Sequence, residues 1–478
     1  MAISVDNEQP PGKAKSLAPA ALAELKQTED QIAAHPQASE SVCTLRLLFS
    51  GRVGAVLEAP RVLLGEASAI GRDPTATSVC LLEDERISRV HARILRNGPD
   101  ETPIIADNAS RNGVFVNGVR ITEKALADGD LIRIGNSFLV FHMYASALEA
   151  EQVTDSTHPL TSAILGRAPA TVRMRRTIER VGPSDASVLL LGESGTGKEL
   201  AAEALHRLSS RAGGPFIAVN CAAIPEHLAE SLLFGHEKGA FTGADRAQLG
   251  YFRTAHQGTL FLDEVAELSA AVQPKLLRAL EKRQVIPVGA TRPIEIELRI
   301  IAATNRDLVR EINHDGFRGD LFFRLADVTV QLPPLRERRE DILFLLMSAW
   351  RTNPPRLSVE LVELLLLHGW PYNVRELLKI AKELQIKGQG QKELGAELVA
   401  DRLAMQERLR SGSELPQTRT PAILSPASGS QIPTREELLE LLQRHQGNIS
   451  AIAREKDKSR MQVHRWLEAR GIDRGRGT

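Results

Sequence analysis

The densest chemistry in the sequence lies in Gly192-Glu193-Ser194-Gly195-Thr196-Gly197-Lys198, which follows the apolar run Val188–Leu191 and opens a helical stretch at Glu199. Glycines at these spacings let the backbone curl until its N–H groups face a phosphate. Lys198 adds a point charge for the β- and γ-phosphates, and a helix start favours the anion. Glu199 stands where Ser or Thr usually reaches magnesium, so metal binding must depend more on a second motif. That motif is Gly258-Thr259-Leu260-Phe261-Leu262-Asp263-Glu264, an apolar strand that delivers two acids at its C-terminal end. Parallel sheets bind ligands at that end. Asp263 would hold Mg2+ and Glu264 would orient the attacking water, which is the chemistry of ATP hydrolysis.

The elements that must position these groups can be read from periodicity. From Ile164 to about Gly388, apolar strands at Val188–Leu191, Phe216–Val219, Leu260–Leu262, Arg299–Ala303 and Val328–Leu332 alternate with helical segments. This alternation predicts a parallel sheet with helices on its faces. From Leu335 onward the pattern is helical throughout, with apolar spacing over Leu361–Leu367 and Glu376–Leu384, as expected of a lid. Between Thr44 and Tyr144 the pattern is different. Short stretches at Leu45–Phe49, Val53–Leu57, Val90–Leu95, Ile104–Asp107, Leu131–Ile134 and Phe138–Phe141 are punctuated by Asn97-Gly98, Asn112-Gly113 and Asn117-Gly118. Asn-Gly is a strong tight-turn signal, and the segment reads as an all-β sandwich.

The chain thus divides into a flexible segment (1–41), a β sandwich (42–145), a linker (146–160), an α/β subdomain (161–332), a helical lid (333–400), a Pro-rich linker (401–433) and a helical C-terminal segment (434–478). The length of 478 residues suits roughly three domains. Sixty basic residues balance sixty acidic ones, which excludes a polybasic or acidic-tail protein. Aromatics at 4% argue against base stacking as a main binding mode. The three cysteines form no CxxC pair, so neither a disulfide framework nor a structural zinc is expected. No apolar run approaches the roughly 20 residues of a membrane span, and no signal-peptide pattern opens the chain. A cytoplasmic protein with no membrane partner is expected.

Residues 164–384 resemble the AAA+ domain of bacterial enhancer-binding proteins, the activators of sigma-54 RNA polymerase. The motifs that carry the likeness are Gly192–Glu199, Val219-Asn220-Cys221-Ala222-Ala223, Leu233-Phe234-Gly235-His236-Glu237-Lys238 and Ala303-Thr304-Asn305-Arg306-Asp307-Leu308. Glu199 is then a family trait. The resemblance implies that Asn220 holds Glu264 inactive until ATP binds, and that Thr304 and Asn305 sense the γ-phosphate. In Phe317-Arg318-Gly319-Asp320-Leu321-Phe322-Phe323-Arg324-Leu325, Arg318 and Arg324 would be fingers reaching a neighbouring subunit's ATP in a ring, usually of six. Trp370-Pro371-Tyr372-Asn373-Val374-Arg375-Glu376-Leu377 places Arg375 as a second sensor, with Tyr372 where the family usually has Gly. Gly239-Ala240-Phe241-Thr242-Gly243-Ala244 matches the loop that touches sigma-54 and drives opening of the promoter complex.

The sandwich resembles the forkhead-associated (FHA) domain through Gly71-Arg72, Ser88-Arg89-Val90-His91, Asn112-Gly113 and Asn117-Gly118. That implies a phosphothreonine-containing partner gripped by Arg72, Ser88, Arg89 and Asn112, with His91 bracing the loop. Residues 434–474 resemble a Fis-type helix-turn-helix. Thr434-x-x-Glu437 forms a capping box, helices are expected at Asn448–Lys456 and Ser459–Ala469, and Arg460, Gln462, His464 and Arg465 would face upstream enhancer DNA. Two rivals keep parts of this picture: a DNA-binding regulator that acts without sigma-54, and a phosphopeptide scaffold whose ATPase is a relic.

Overall fold

The computed structural model describes residues 41–51, 54–55, 61–81, 84–96, 98, 101–146, 149–150, 159–350, 355–410, 435–445 and 452. The chain forms two units, 1–415 and 416–478. The expected N-terminal segment up to residue 40, most of the Pro-rich linker, the helices at 448–456 and 459–469, and Arg460, Gln462, His464 and Arg465 lie outside the described residues. In the second unit, helix Arg435–Arg444 turns Leu438 and Leu441 inward, three apart and so on one face.

The N-terminal sandwich begins with β1 (Val42–Ser50), β2 (Gly54–Ala55), β3 (Arg61–Leu64), β4 (Ala67–Gly71), β5 (Val79–Cys80) and β6 (Ala92–Leu95). It continues with β7 (Ile104–Asp107), β8 (Val114–Val116), β9 (Val119–Ile121), β10 (Glu123–Ala125), β11 (Leu131–Ile134) and β12 (Ser137–Tyr144). One sheet runs β2-β1-β12-β11-β8-β9, with β3 beside β1; the other runs β10-β7-β6-β4-β5. Their facing side chains, among them Leu45, Ile70, Ile94, Ile105 and Phe141, form one buried core. Asn117 and Gly118 both have positive φ, 49° and 79°, the backbone a two-residue hairpin between β8 and β9 requires. The strand expected at Val90–Leu95 starts later, at Ala92, because Ser88–His91 build a loop. Of Val53–Leu57 the structure describes only Gly54–Ala55, as strand.

The α/β subdomain carries β13 (Val188–Leu191), β14 (Phe216–Asn220), β17 (Thr259–Asp263), β20 (Arg299–Thr304) and β21 (Val328–Gln331) in the parallel order β14-β17-β20-β13-β21. The hairpins β15 (Gly235–His236) with β16 (Gln248–Leu249), and β18 (Gln284–Val285) with β19 (Ile294–Glu295), lie outside it. Helices α1 (Pro169–Val181), α2 (Lys198–Arg207), α3 (Glu226–Phe234), α4 (Tyr251–Thr254), α5 (Gln273–Lys282), α6 (Leu308–Asn313) and α7 (Gly319–Leu325) complete it. Strand side chains alternate between two cores. Leu189, Leu260, Leu262 and Ala302 point to one, and Val188, Leu190, Phe261 and Ile301 to the other. Burial on both faces explains why these strands read as unbroken apolar runs.

The lid contains α8 (Arg339–Ser348), α9 (Val359–Leu367), α10 (Asn373–Lys387) and α11 (Ala400–Arg410). It is not helical throughout, because β22 (Arg356–Leu357) pairs in parallel with β23 (Glu393–Leu394), burying Leu357 and Leu394. The linker expected at 401 begins as helix α11, since Leu403 enters the lid core and Arg402 pairs with Glu383.

The sandwich and lid share a core in which Leu48, Phe49, Leu131, Phe138 and Val140 pack with lid leucines. A Cβ at Gly118 would lie 2.9 Å from Leu367, so the Asn117-Gly118 turn rests directly on α9. Around this apolar seam, Arg133 pairs with Glu363, and Arg339 donates to Asn117 Oδ1 at 2.8 Å and Gly129 O at 2.9 Å. His142 bridges Asp128 Oδ1 at 2.9 Å and Glu340 Oε1 at 2.7 Å. Burial disfavours the charged imidazole, but the two carboxylates more than offset it and lift its pKa from 6.5 to about 9. Other charged or titratable groups in this field include Arg46 and Arg339, which face Glu340, Arg173, which faces Asp128, and the Tyr144 phenol with Arg61 beside it. A raised folded pKa gives stability that is complete below the unfolded value and disappears as pH climbs through the folded one. The excess melting temperature of wild type over His142→Gln should therefore fall as pH goes from 6.5 to 9. A difference that stays constant over that interval would remove His142 as a charged clamp.

Candidate functional site

The phosphate loop joins β13 to α2 with left-handed backbone at Gly195 (φ 80°) and Gly197 (φ 105°). Gly192 N–H donates to Thr304 O, which ties the loop to the neighbouring strand β20. Thr196 Oγ donates to Glu193 O and tightens the curl. Lys198 is nearly buried; its Nζ donates to Gly192 O at 3.0 Å and lies 3.5 Å from Glu264 Oε1. Glu199 is exposed in the first turn of α2, where its charge suits the positive helix end.

Asp263 and Glu264 sit at the C-terminal end of β17, as the strand pattern implies. Burial raises the Asp263 pKa first, the neighbouring Glu264 carboxylate raises it further, and Lys198 pulls it down. Asp263 Oδ1 accepts from Glu264 N–H. Glu264 is itself left-handed, with φ 50°, which costs about 1 kcal/mol for a residue with a Cβ. That turn sends its side chain to the Asn305 backbone N–H at 3.2 Å and towards Lys198. Thr304 is fully buried at the end of β20, with its hydroxyl accepting from Arg306 N–H, while Asn305 is exposed. Lys198, Asp263, Glu264, Thr304 and Asn305 thus converge on one end of the sheet.

Asn220 pairs in register with Asp263, but its Oδ1 accepts from Ala222 N–H and caps the turn 221–223. Glu264 is held by Asn305 and Lys198 in this structure, not by Asn220. Arg318 and Arg324 are exposed, the first just before α7 and the second on it. Arg318 makes a bidentate pair with Asp320, and Arg324 donates to Leu280 O.

The lid approaches from the other side. Arg375 donates to Ser194 Oγ at 3.0 Å. Tyr372 has φ −113°, ordinary for an L residue, so its departure from the usual Gly imposes no strain; the left-handed positions are Trp370 and Asn373. Three further lid residues hold the loop. Arg336 pairs bidentately with Glu193, Asn373 donates to Glu193 Oε2 and Ser194 O, and Arg338 donates to Thr196 O. Asn373 sits inside the recognised lid motif and was within reach of sequence reasoning. Arg336 and Arg338 stand in the run Arg336-Glu337-Arg338-Arg339-Glu340-Asp341, which is indistinguishable in sequence from a solvated helix face.

The loop 239–244 connects β15 to β16. Gly239 and Gly243 have positive φ, Gly239 N–H donates to Ala244 O, and Phe241 is exposed at the tip with its ring 5.0 Å from His236. In the sandwich, Arg72, Arg89 and Asn112 are exposed and Ser88 is half-buried. Arg72 N–H donates to Ser88 O and Arg89 O, and Asn112 Nδ2 donates to Arg86 O, so the four candidates share one loop cluster. His91 is fully buried beneath them. Its Nδ1 accepts from Ser88 N–H, so Nε2 carries the proton and donates to Gly113 O. It braces the loops, as expected.

No helix among the described residues is long and apolar enough to cross a membrane. Replacing Glu264 by Gln should leave ATP binding intact and lower turnover by ~10²–10⁴-fold, the usual worth of a group that handles the proton of an attacking water. Unchanged kcat in a steady-state phosphate-release assay would exclude it from that role.

Residues 164–331 match the sigma-54 interaction domain and residues 69–135 match the FHA domain. The anaerobic nitric oxide reductase transcription regulator NorR of Aeromonas hydrophila is 34% identical over 455 residues, covering 88% of this chain and 87% of that one. The sigma-54-dependent transcriptional activator SfnR of Pseudomonas putida is 51% identical over 207 residues, 42% of this chain and 57% of its own. The ADP complex of NtrX from Brucella abortus aligns over 65% of this chain and 71% of its own, with 34% identity and a TM-score of 0.47. The chain spans about half the length of several curated relatives: 43% of UacR from Escherichia coli, 53% of ZraR from Klebsiella oxytoca and 50% of FlbD from Caulobacter vibrioides. Phosphate-loop motif, paired strand-end acids, sensor segment and lid are thus present on a chain related to NorR over nearly its whole length, and the protein belongs to the sigma-54-dependent transcription regulators, with a sigma-54 interaction domain preceded by an FHA domain.

Proposed function

We propose that the chain uses ATP hydrolysis to remodel the closed complex of sigma-54 RNA polymerase. The observation that carries this is the exposed Phe241, held on a two-glycine loop of the same subdomain that cradles the phosphates. A mobile apolar tip that responds to the nucleotide state is what a mechanical activator needs. Asp263, crowded by a second carboxylate, suits a Mg2+ ion that relieves the repulsion; the ion would neutralise phosphate charge while Glu264 orients the water. Thr304, Asn305 and Arg375 read the nucleotide. Arg318 and Arg324 act across a subunit boundary in a hexameric ring, a reading supported by their exposure, and such a guanidinium is worth ~10³–10⁵ in rate. Asn220, one strand over from Asp263, is in register to take Glu264 in another nucleotide state.

Arg72, Ser88, Arg89 and Asn112 form the site that takes a phosphothreonine of a partner protein, through charge-assisted hydrogen bonds. Arg460, Gln462, His464 and Arg465 bind upstream DNA, on the strength of the sequence pattern.

Phe241→Ala should hydrolyse ATP at close to the wild-type rate yet fail to melt a sigma-54 promoter in a permanganate footprint. Normal melting by that variant would refute the loop assignment. Arg72→Ala should weaken binding of a phosphothreonine peptide at least ~10-fold, the scale set by a charged hydrogen bond; equal affinity in calorimetry would refute the phosphate site.

A further inference from the structure

The FHA sandwich touches both halves of the ATPase. On the lid it engages α8 and α9 through His142–Glu340, Arg339–Asn117, Arg133–Glu363 and the shared apolar seam. On the α/β subdomain, Tyr144 and Val42 pack with Val172 of α1, and Arg46 donates to Arg167 O. Between these footholds the lid meets the start of α1. Asp341 of α8 accepts hydrogen bonds from the Arg167 and Ala168 N–H groups and from Thr171 Oγ, just where α1 begins. One stretch of four residues therefore meets three surfaces: Arg338 the phosphate loop, Arg339 and Glu340 the sandwich, and Asp341 the start of α1.

We propose that the FHA domain is a strap across the two ATPase subdomains, which keeps the lid seated on the phosphate loop and slows nucleotide release. Lid and sheet must move relative to one another for nucleotide to exchange. A rigid sandwich bonded to both opposes that rotation. The strap leaves the phosphate-binding loops open, because they lie at the other end of β8. Asn112 precedes that strand and Asn117, on the lid, follows it, about 16 Å apart at ~3.3 Å per residue. Val114 and Val116 between them are buried, so the two ends are joined by a packed strand. This inference deepens the regulation of the ATPase and rests on nucleotide binding, not on the transcriptional reading.

The test is release of a fluorescent ADP analogue from the full-length chain, by stopped flow. Arg133 and Glu363 are each three-quarters buried in the interface and belong to neither the phosphate loop nor the lid contacts with it. Arg133→Glu and Glu363→Arg should each speed release, by ~2–5-fold for a partly exposed pair. The exchanged pair Arg133→Glu with Glu363→Arg should return the rate towards wild type. Amide exchange over 129–144 and 359–367 should rise in the single variants and recover in the double. Glu363→Gln, the mildest change, should lie between wild type and Glu363→Arg. Release rates unchanged in all variants, or as fast in the double as in the singles, would overturn the strap. Because promoter melting is not read, failure here is distinct from failure of the Phe241 reading.

Discussion

The candidate nucleotide site depends on how closely two backbones meet at Gly195. A Cβ there would lie 2.2 Å from Tyr372 O, inside any permissible contact, and the residue is also left-handed. Val374 N–H donates to Gly195 O at the same point, so lid and phosphate loop are hydrogen-bonded main chain to main chain. A side chain at 195 would distort the phosphate cradle and push the lid away together. The glycine pattern that a reader of sequence assigns to phosphate binding therefore also serves the closure of the lid.

With the lid so close, its charges must be spent on neighbours. Arg338 and Asp341 are almost wholly buried and Glu340 nearly so, yet each has a partner on another element. Buried charges left without partners are strongly destabilising. Consecutive residues on a helix point about 100° apart, so a short charged turn can address several surfaces at once. Here that turn stands where sandwich, lid and sheet meet, and the packing of all three depends on its hydrogen bonds.

Much of this was legible in the sequence. The five strands of the parallel sheet appear within about a residue of their expected ends, because burial on both faces leaves a continuous apolar run. The strand-end acids, Lys198, Thr304, Asn305 and Arg375 follow from motifs whose spacing the chemistry dictates. Short sandwich strands such as Val79–Cys80 and Glu123–Ala125 were hidden, since they are held by backbone pairing with few large apolar side chains. The pair Arg356–Leu357 with Glu393–Leu394 was hidden for another reason: its partners are far apart in sequence and each is two residues long. Least legible was the burial of the run 336–341. A charge sequence does not reveal whether its partner is water or another domain, and only the tertiary arrangement decides it.

The labour within that turn is divided. Arg338 and Asp341 face the motor, whereas Arg339 and Glu340 face the module in front of it. Substitution at an outward position can therefore alter the grip on the sandwich while Arg338 and Asp341 keep their own partners. Holding the neighbouring module and holding the loop beneath are thus tasks of different side chains at the start of one helix.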